Sequence, residues 1–190
     1  MIIAFNKPYG VLSQFNENPD RPGQRTLAEF GLPPEFMPVG RLDQDSEGLL
    51  LLTDDPSYER HLMRPAHEHS RSYLVQVDGK FNHEAQRSMS VGNLDIQNYQ
   101  TKPCKVQLLA SPRMLPARDP AVDPAAEARS SWILVTLKEG KNRQVRRMTA
   151  KVGFPTLRLF RISIGEYDVG EVKPGEFVVL SAEEEDLLKK

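Results

Sequence analysis

With 190 residues, 39% of them apolar, the chain can bury one good core or two small lobes. A formal net charge of −1 does not announce a nucleic-acid binder, and the single cysteine, Cys104, excludes an intramolecular disulfide and fits a reducing compartment. No apolar run reaches membrane-spanning length and no charged segment precedes an apolar leader, so a soluble cytoplasmic protein with no membrane partner is the expectation. The average hides a local excess, because the stretch from Lys138 to Arg161 carries eight Lys/Arg against one acid, Glu139, offset elsewhere by acids such as Glu183, Glu184, Glu185 and Asp186.

Ile2 to Phe5 reads as a short strand running into the breaker-rich turn Asn6-Lys7-Pro8-Tyr9-Gly10, then Val11 to Gln14. Lys7 is expected to be exposed and solvated there. Residues 16–25 are polar and turn-rich, and Thr26 caps a short helix over Leu27 to Phe30.

The most informative stretch is Gly40-Arg41-Leu42-Asp43-Gln44-Asp45-Ser46-Glu47-Gly48, followed by Leu49 to Leu52 and Thr53. Four leucines between turn signals are too short for a core helix and predict a strand buried on both faces. A polar turn held by such a strand is rigidly placed, which suits a reactive group, and Asp43 is the candidate nucleophile. An ordinary solvated turn, with Arg41 paired to Asp43 or Asp45, is the plain alternative. A calcium loop fits Asp43, Asp45, Glu47, Gly48 and Asp54 by spacing. It fails on the ninth position, Leu51, on the last, which wants a bidentate Glu, and on the leucine strand where a helix is required.

Downstream, Asp55 and Pro56 open a helix to about Met63. His61, His67 and His69 lack metal-ligand spacing and are expected at the surface, so no metal site is predicted. Arg71 to Val77 alternates as a strand, with Tyr73 either a half-buried packing residue or a stacking platform. A helix is expected from about His83 to Ser90, a turn at Gly92-Asn93, and strands near Leu94 to Ile96 and Val106 to Ala110. The proline-punctuated stretch 112–131 reads as a mobile surface insertion. Trp132 to Lys138 is a central strand that delivers Glu139-Gly140-Lys141-Asn142-Arg143-Gln144-Val145-Arg146-Arg147-Met148. Asn142 is expected to cap a helix with the apolar stripe Val145, Met148, Val152, ended by Gly153. Phe154 to Gly165 and Glu176 to Leu180 are strands, and an acidic, frayed tail occupies residues 181–190.

Four of these stretches resemble the motifs of the RNA pseudouridine synthases, in the RsuA/RluE branch that modifies ribosomal RNA. Gly-Arg-Leu-Asp-x-x-Ser-x-Gly-Leu-Leu-x-Leu-Thr is similar to the catalytic motif. A basic residue, a spacer and Tyr before a strand (Arg71, Ser72, Tyr73) is similar to the second, and Glu139 to Met148 to the third. Leu159-x-Arg161-x-x-x-Gly165 is similar to the last, while Lys7-Pro8-x-Gly10 matches the opening of the domain. Asp-Ser-Glu-Gly in the first motif and Gly-Phe-Pro-Thr-Leu-Arg-Leu near the end look like the RluE group.

The resemblance implies an α+β fold, a mixed and mainly antiparallel sheet bent across an RNA-binding cleft with helices outside. It implies one catalytic domain over 1–180, without the small S4 domain that many relatives carry in front. The implied activity is isomerisation of a specific uridine to pseudouridine in large-subunit (23S) ribosomal RNA, by a monomer that needs no cofactor. Asp43 is then the nucleophile, Tyr73 stacks on the flipped base and relays a proton, and Arg146 pairs with the aspartate. Substrate-binding positions are Lys7, Arg41, Leu42, Lys141, Asn142, Arg143, Gln144, Arg147, Arg158, Leu159 and Arg161, with Leu159 lining the base pocket and Arg158 and Arg161 facing phosphate. A non-catalytic RNA-binding or ribosome-assembly module is the alternative, although such a surface gains nothing from a carboxylate among arginines. A glycosidase would need two acids facing each other across a sugar, and Asp43 with Asp45 on one tight turn are poorly placed for that.

Overall fold

The computed structural model describes residues 1–58, 69–110 and 115–189, and the chain divides into two compact units, Met1–His69 with Arg161–Lys190 and Ser70–Phe160. The helix expected from Pro56 to Met63 begins as predicted, with the Ser57 N–H bonded to Asp55 Oδ1 at 2.8 Å. Its remainder, and with it His61 and His67, lies outside the described residues.

In the first unit β1 (Ile2–Lys7) is central, antiparallel to β3 (Glu47–Thr53) on one side and to β9 (Phe177–Val179) on the other. The short β2 (Met37–Pro38) also pairs with β3. Every residue of β3 is buried, so the leucine run is covered on both faces as its composition predicts. Leu50 and Leu52 pack with Ile3, Phe5, Val11, Leu27, Phe36 and Leu42. Leu49 and Leu51, on the opposite face, are equally inaccessible. Each of these side chains stabilises the unit by about 1.5–3 kcal/mol through burial alone. Thr26 heads the 3-10 helix Leu27–Phe30 with a complete capping box to Glu29.

The C-terminal segment departs from the frayed tail expected of its charge. Ser181 and Glu184 form a capping box for the helix Ala182–Leu187, and Leu188 is fully buried. Gly165, at φ +58°, accepts this segment closely, for a Cβ there would stand 2.5 Å from the Leu187 carbonyl oxygen and 2.8 Å from that of Leu188. His69, expected at the surface, is buried at 5% exposure.

In the second unit β6 (Ser131–Leu137) lies between β4 (Arg71–Val77) and β5 (Lys105–Leu109), both antiparallel to it. Alternation puts Tyr73, Val75 and Val77 on one face of β4. That face packs with Ile133, Val135, Ala85 and Met89 of α1 (His83–Val91), and Val145 and Met148 of α3 (Gln144–Lys151). The strand expected near Leu94 to Ile96 is reduced to an isolated bridge between Asp95 and Gln100. β7 (Thr156–Ile164) returns the chain to the first unit, where β8 (Tyr167–Asp168) pairs with it.

The stretch read as a mobile insertion is anchored over its described part. Arg158 Nη2 donates to the Pro116 carbonyl at 2.8 Å and Arg118 Nη1 to that of Leu157 at 3.1 Å. Asp123 then caps α2 (Pro124–Arg129), and Arg129 grips Asp78 through two bonds of 2.5 and 2.7 Å. The sequence shows the prolines but not the reciprocal arginine-to-carbonyl bonds that tie them down. The α+β class and the mainly antiparallel sheet are as expected.

Candidate active site

In the first unit the site is the turn before β3. Asp43 is half-buried, and its carbonyl accepts the Ser46 N–H at 3.0 Å, closing the turn. Arg41 is exposed, whereas Leu42 is a core residue that anchors the turn by burial. Glu47 belongs to the strand and is buried, and its charge acts on the buried Lys7.

Lys7 corrects the expectation most sharply. Its side chain has no solvent exposure, and its ammonium donates to the carbonyls of Pro8 at 2.9 Å and Val11 at 2.8 Å. Burial pulls its pKa down to about 7, against the pull of the Glu47, Asp45 and Asp43 carboxylates and with a contribution from the Arg161 charge. A cation spent on backbone carbonyls inside the unit does not meet phosphate. Arg161 is corrected in the same way: it is 4% exposed and its Nε donates to the Leu49 carbonyl at 2.7 Å. Arg161 thereby ties down the strand that carries the aspartate turn, and Lys7 the loop that follows β1. Charge alone is a misleading guide here, since register and burial decide where a lysine or arginine points.

In the second unit Tyr73 is half-buried, opposite Val135 at the edge of the core. Arg71, two residues before it on the same face, reaches Gly140, where an added methyl would lie 3.9 Å from its Nη1. The second and third motifs therefore meet. Glu139 organises the third: it accepts the Tyr99 hydroxyl at 2.5 Å, the Lys102 N–H at 3.0 Å, and Nε2 of the buried Gln144. This carboxylate pushes the Tyr99 hydroxyl pKa up. Gln144 Oε1 in turn accepts the Lys141 N–H at 3.0 Å, so Gln144 is a brace for the loop rather than an exposed contact. Lys141 lies over the Tyr99 ring, 4.3 Å from its centroid. Sequence reading missed Glu139 and Tyr99, and the one acid in a strongly basic stretch was the available signal.

The capping assignment for α3 is also corrected. Arg143 occupies the cap position at φ +51° with no side-chain cap bond, and Asn142 Oδ1 instead accepts from Arg147 Nη2 at 2.7 Å. Lys141, Asn142 and Arg143 are exposed, Arg146 and Arg147 half-buried. Left-handed backbone at a non-glycine residue costs about 1–3 kcal/mol, so the loop keeps Arg143 projecting at the expense of stability. Arg143→Gly should therefore leave the melting temperature equal or higher, and if Arg143 neutralises a phosphate, as the resemblance implies, the slope of log K for RNA against log salt should flatten by about 0.7–0.9. An unchanged slope would show that Arg143 touches no phosphate.

On β7, Arg158 is 8% exposed and occupied with the Pro116 carbonyl, which corrects its assignment to phosphate. Leu159 is buried in the core of the second unit, among residues that include Val145 and Met148. Among the described residues no cluster of three or more His, Cys, Asp or Glu is placed to hold a metal ion, and no helix is long and apolar enough to cross a membrane.

The family model described as RNA pseudouridylate synthase matches residues 1–151. The chain is 46% identical over 179 residues to the ribosomal large subunit pseudouridine synthase E of Xanthomonas campestris pv. campestris, covering 94% of this chain and 95% of that protein. It is 40% identical to the protein of the same name from Vibrio parahaemolyticus, over 93% of this chain and 72% of that one. A crystal structure of a pseudouridylate synthase superposes with a TM-score of 0.78 at 28% identity, covering 98% of this chain and 73% of the other. The human RNA pseudouridylate synthase domain containing 1 shares the fold alone, with a TM-score of 0.52 at 17% identity over 86% of this chain and 74% of that one. The family match and these identities over most of both chains show that the chain belongs to the RNA pseudouridylate synthase family.

Proposed function

We propose that this protein converts a specific uridine of large-subunit (23S) ribosomal RNA to pseudouridine in the cytoplasm, with Asp43 as nucleophile and the target base flipped out. The observation that carries the substrate assignment is the 46% identity, over almost the whole of both chains, to a relative named for the large ribosomal subunit. The catalytic domain in this reading is residues 1–180, with 112–131 a surface insertion, working as a monomer.

The reaction breaks the C1′–N1 glycosidic bond, turns the uracil and rejoins it through C5, whose proton leaves to solvent. Atoms and electrons balance without a donor or acceptor, so the chemistry calls for no cofactor. A uridine inside an RNA helix is out of reach, and extruding it costs a few kcal/mol. Tyr73 suits the stacking that compensates, a contact worth about 1–3 kcal/mol per base. Phosphate falls to Arg41, Lys141, Arg143 and Arg147 in this reading, because Lys7, Arg158 and Arg161 serve internal carbonyls.

Asp43 must be ionised to attack, and a nearby cation favours that state whereas burial opposes it. The motif match gives Arg146 this task. Arg146→Ala is expected to lower the rate at saturating RNA by about 10²–10³-fold, the scale of losing one preorganised electrostatic partner. Full activity at saturation would make Arg146 a phosphate ligand only. The experiment for the whole reading is tritium release from large-subunit RNA labelled at uridine C5, with no added metal. Release from small-subunit RNA alone would overturn the substrate, and release from neither, with RNA binding intact, would favour a binding module.

A further inference from the structure

The two residues flanking Asp43 are each held twice by the same short loop. On one side, Ser13 Oγ donates to the Leu42 carbonyl at 2.7 Å and accepts the Leu42 N–H at 3.1 Å, so one buried hydroxyl satisfies both polar groups of a buried residue. On the other, the Gly10 N–H donates to the Gln44 carbonyl at 2.8 Å, and Gln44 Nε2 donates back to the Gly10 carbonyl at 3.1 Å. The loop itself is fixed from inside, because Lys7 binds the carbonyls of Pro8 and Val11, the residues before and within this grip. Leu12 N–H to the Arg25 carbonyl at 2.9 Å ties its far end.

We propose that Ser13 is a positioning residue for Asp43. By holding both backbone groups of Leu42 it fixes the peptide from which the carboxylate projects, with Gln44 as the second grip. This inference rests on Asp43 being the nucleophile.

The physical case is that a side chain replaces a strand partner. Asp43 lies just before β3, where ladder bonds to β1 begin at Gly48, so its own backbone has no sheet to hold it. Ser13 supplies the missing rung one residue before Asp43 and Gly10 supplies another one residue after it. Freed of the first rung, the peptide can turn, and its buried N–H and C=O are left seeking partners. A shift of about 1 Å in a reacting group can cost on the order of 10²-fold in rate.

The test compares Ser13→Ala, Ser13→Thr and Gln44→Met with the parent and with Asp43→Asn. Single-turnover pseudouridine formation is followed over a range of large-subunit RNA concentrations, well below each melting temperature. Ser13→Ala should lose about ten- to a hundredfold in maximal rate with the half-saturating RNA concentration little changed. Ser13→Thr, which keeps the hydroxyl, should recover most of that rate. Parent-like rate in Ser13→Ala, or equal loss in the Ala and Thr variants, overturns the proposal, provided Asp43→Asn is inactive. Turnover by Asp43→Asn would instead sink the nucleophile reading. Should Ser13→Ala not fold, Gln44→Met decides: a reduced maximal rate at unchanged half-saturation supports the double grip, and an unchanged rate overturns it.

Discussion

Asp43→Asn should abolish pseudouridine formation, by more than about 10⁴-fold, while RNA affinity stays within about twofold. Removal of a nucleophile acts on at least that scale in other covalent catalysts. The substitution is nearly isosteric. The bonds that hold Leu42 and Gln44 on either side of it run through backbone and through the side chains of Ser13 and Gln44, none of which it alters. The exposed cations Arg41, Lys141 and Arg143, which supply phosphate contacts in the proposed function, are untouched. Tritium release and filter binding, measured on the same preparations, separate the two properties. Normal product formation by the variant would end the nucleophile assignment, and a large loss of affinity would show that the carboxylate orders the RNA-binding surface.

Stability should rise from about pH 7 to about pH 10 through Lys7, and Lys7→Met should remove that dependence. The folded-state pKa is depressed to about 7 from a usual 10.5. Between those values the unfolded chain binds a proton that the folded chain releases, so unfolding becomes less favourable as pH increases. Below about pH 7 both states are charged and the burial penalty is full; above about 10.5 neither is charged and it vanishes. At about 1.4 kcal/mol per unit the swing amounts to a few kcal/mol. The absolute stability of Lys7→Met at pH 7 is a poor readout, because the variant removes a costly buried charge but also strips the Pro8 and Val11 carbonyls of their donor. The difference in urea midpoints between parent and variant across pH 7, 8, 9 and 10 isolates the lysine. Parallel curves would show that Lys7 stays fully charged in the fold.

What could be read without the structure was whatever depends on local pattern. The leucine run gave β3, alternation gave β4 and β6, and Thr26 gave the cap of the short helix Leu27–Phe30. The turn that carries Asp43 was legible because its glycines, its aspartate and its strand are contiguous. Long-range pairing was not. Lys7 looks like a surface lysine until its register with Gly48 is known, and Arg161 looks like a phosphate ligand until Leu49 is placed beside it. Asn142 had the better capping side chain, yet Arg143 took the cap position at φ +51°, since Asn142 is engaged by Arg147. Ser13 gave no local signal at all, as its partner is 29 residues away.

The tight approach of the Leu187 and Leu188 carbonyls to Gly165 bears on how this enzyme is to be re-engineered. A glycine that ends the last motif, and so invites mutagenesis as a specificity position, is a packing joint with no room for a side chain. Any larger residue there would expel the C-terminal helix along with the buried Leu188. A library meant to redirect the enzyme to another uridine should freeze 161 and 165 with the core and place its diversity at the exposed 141–143, which carry phosphate contacts in the proposed function, where substitution leaves this joint intact.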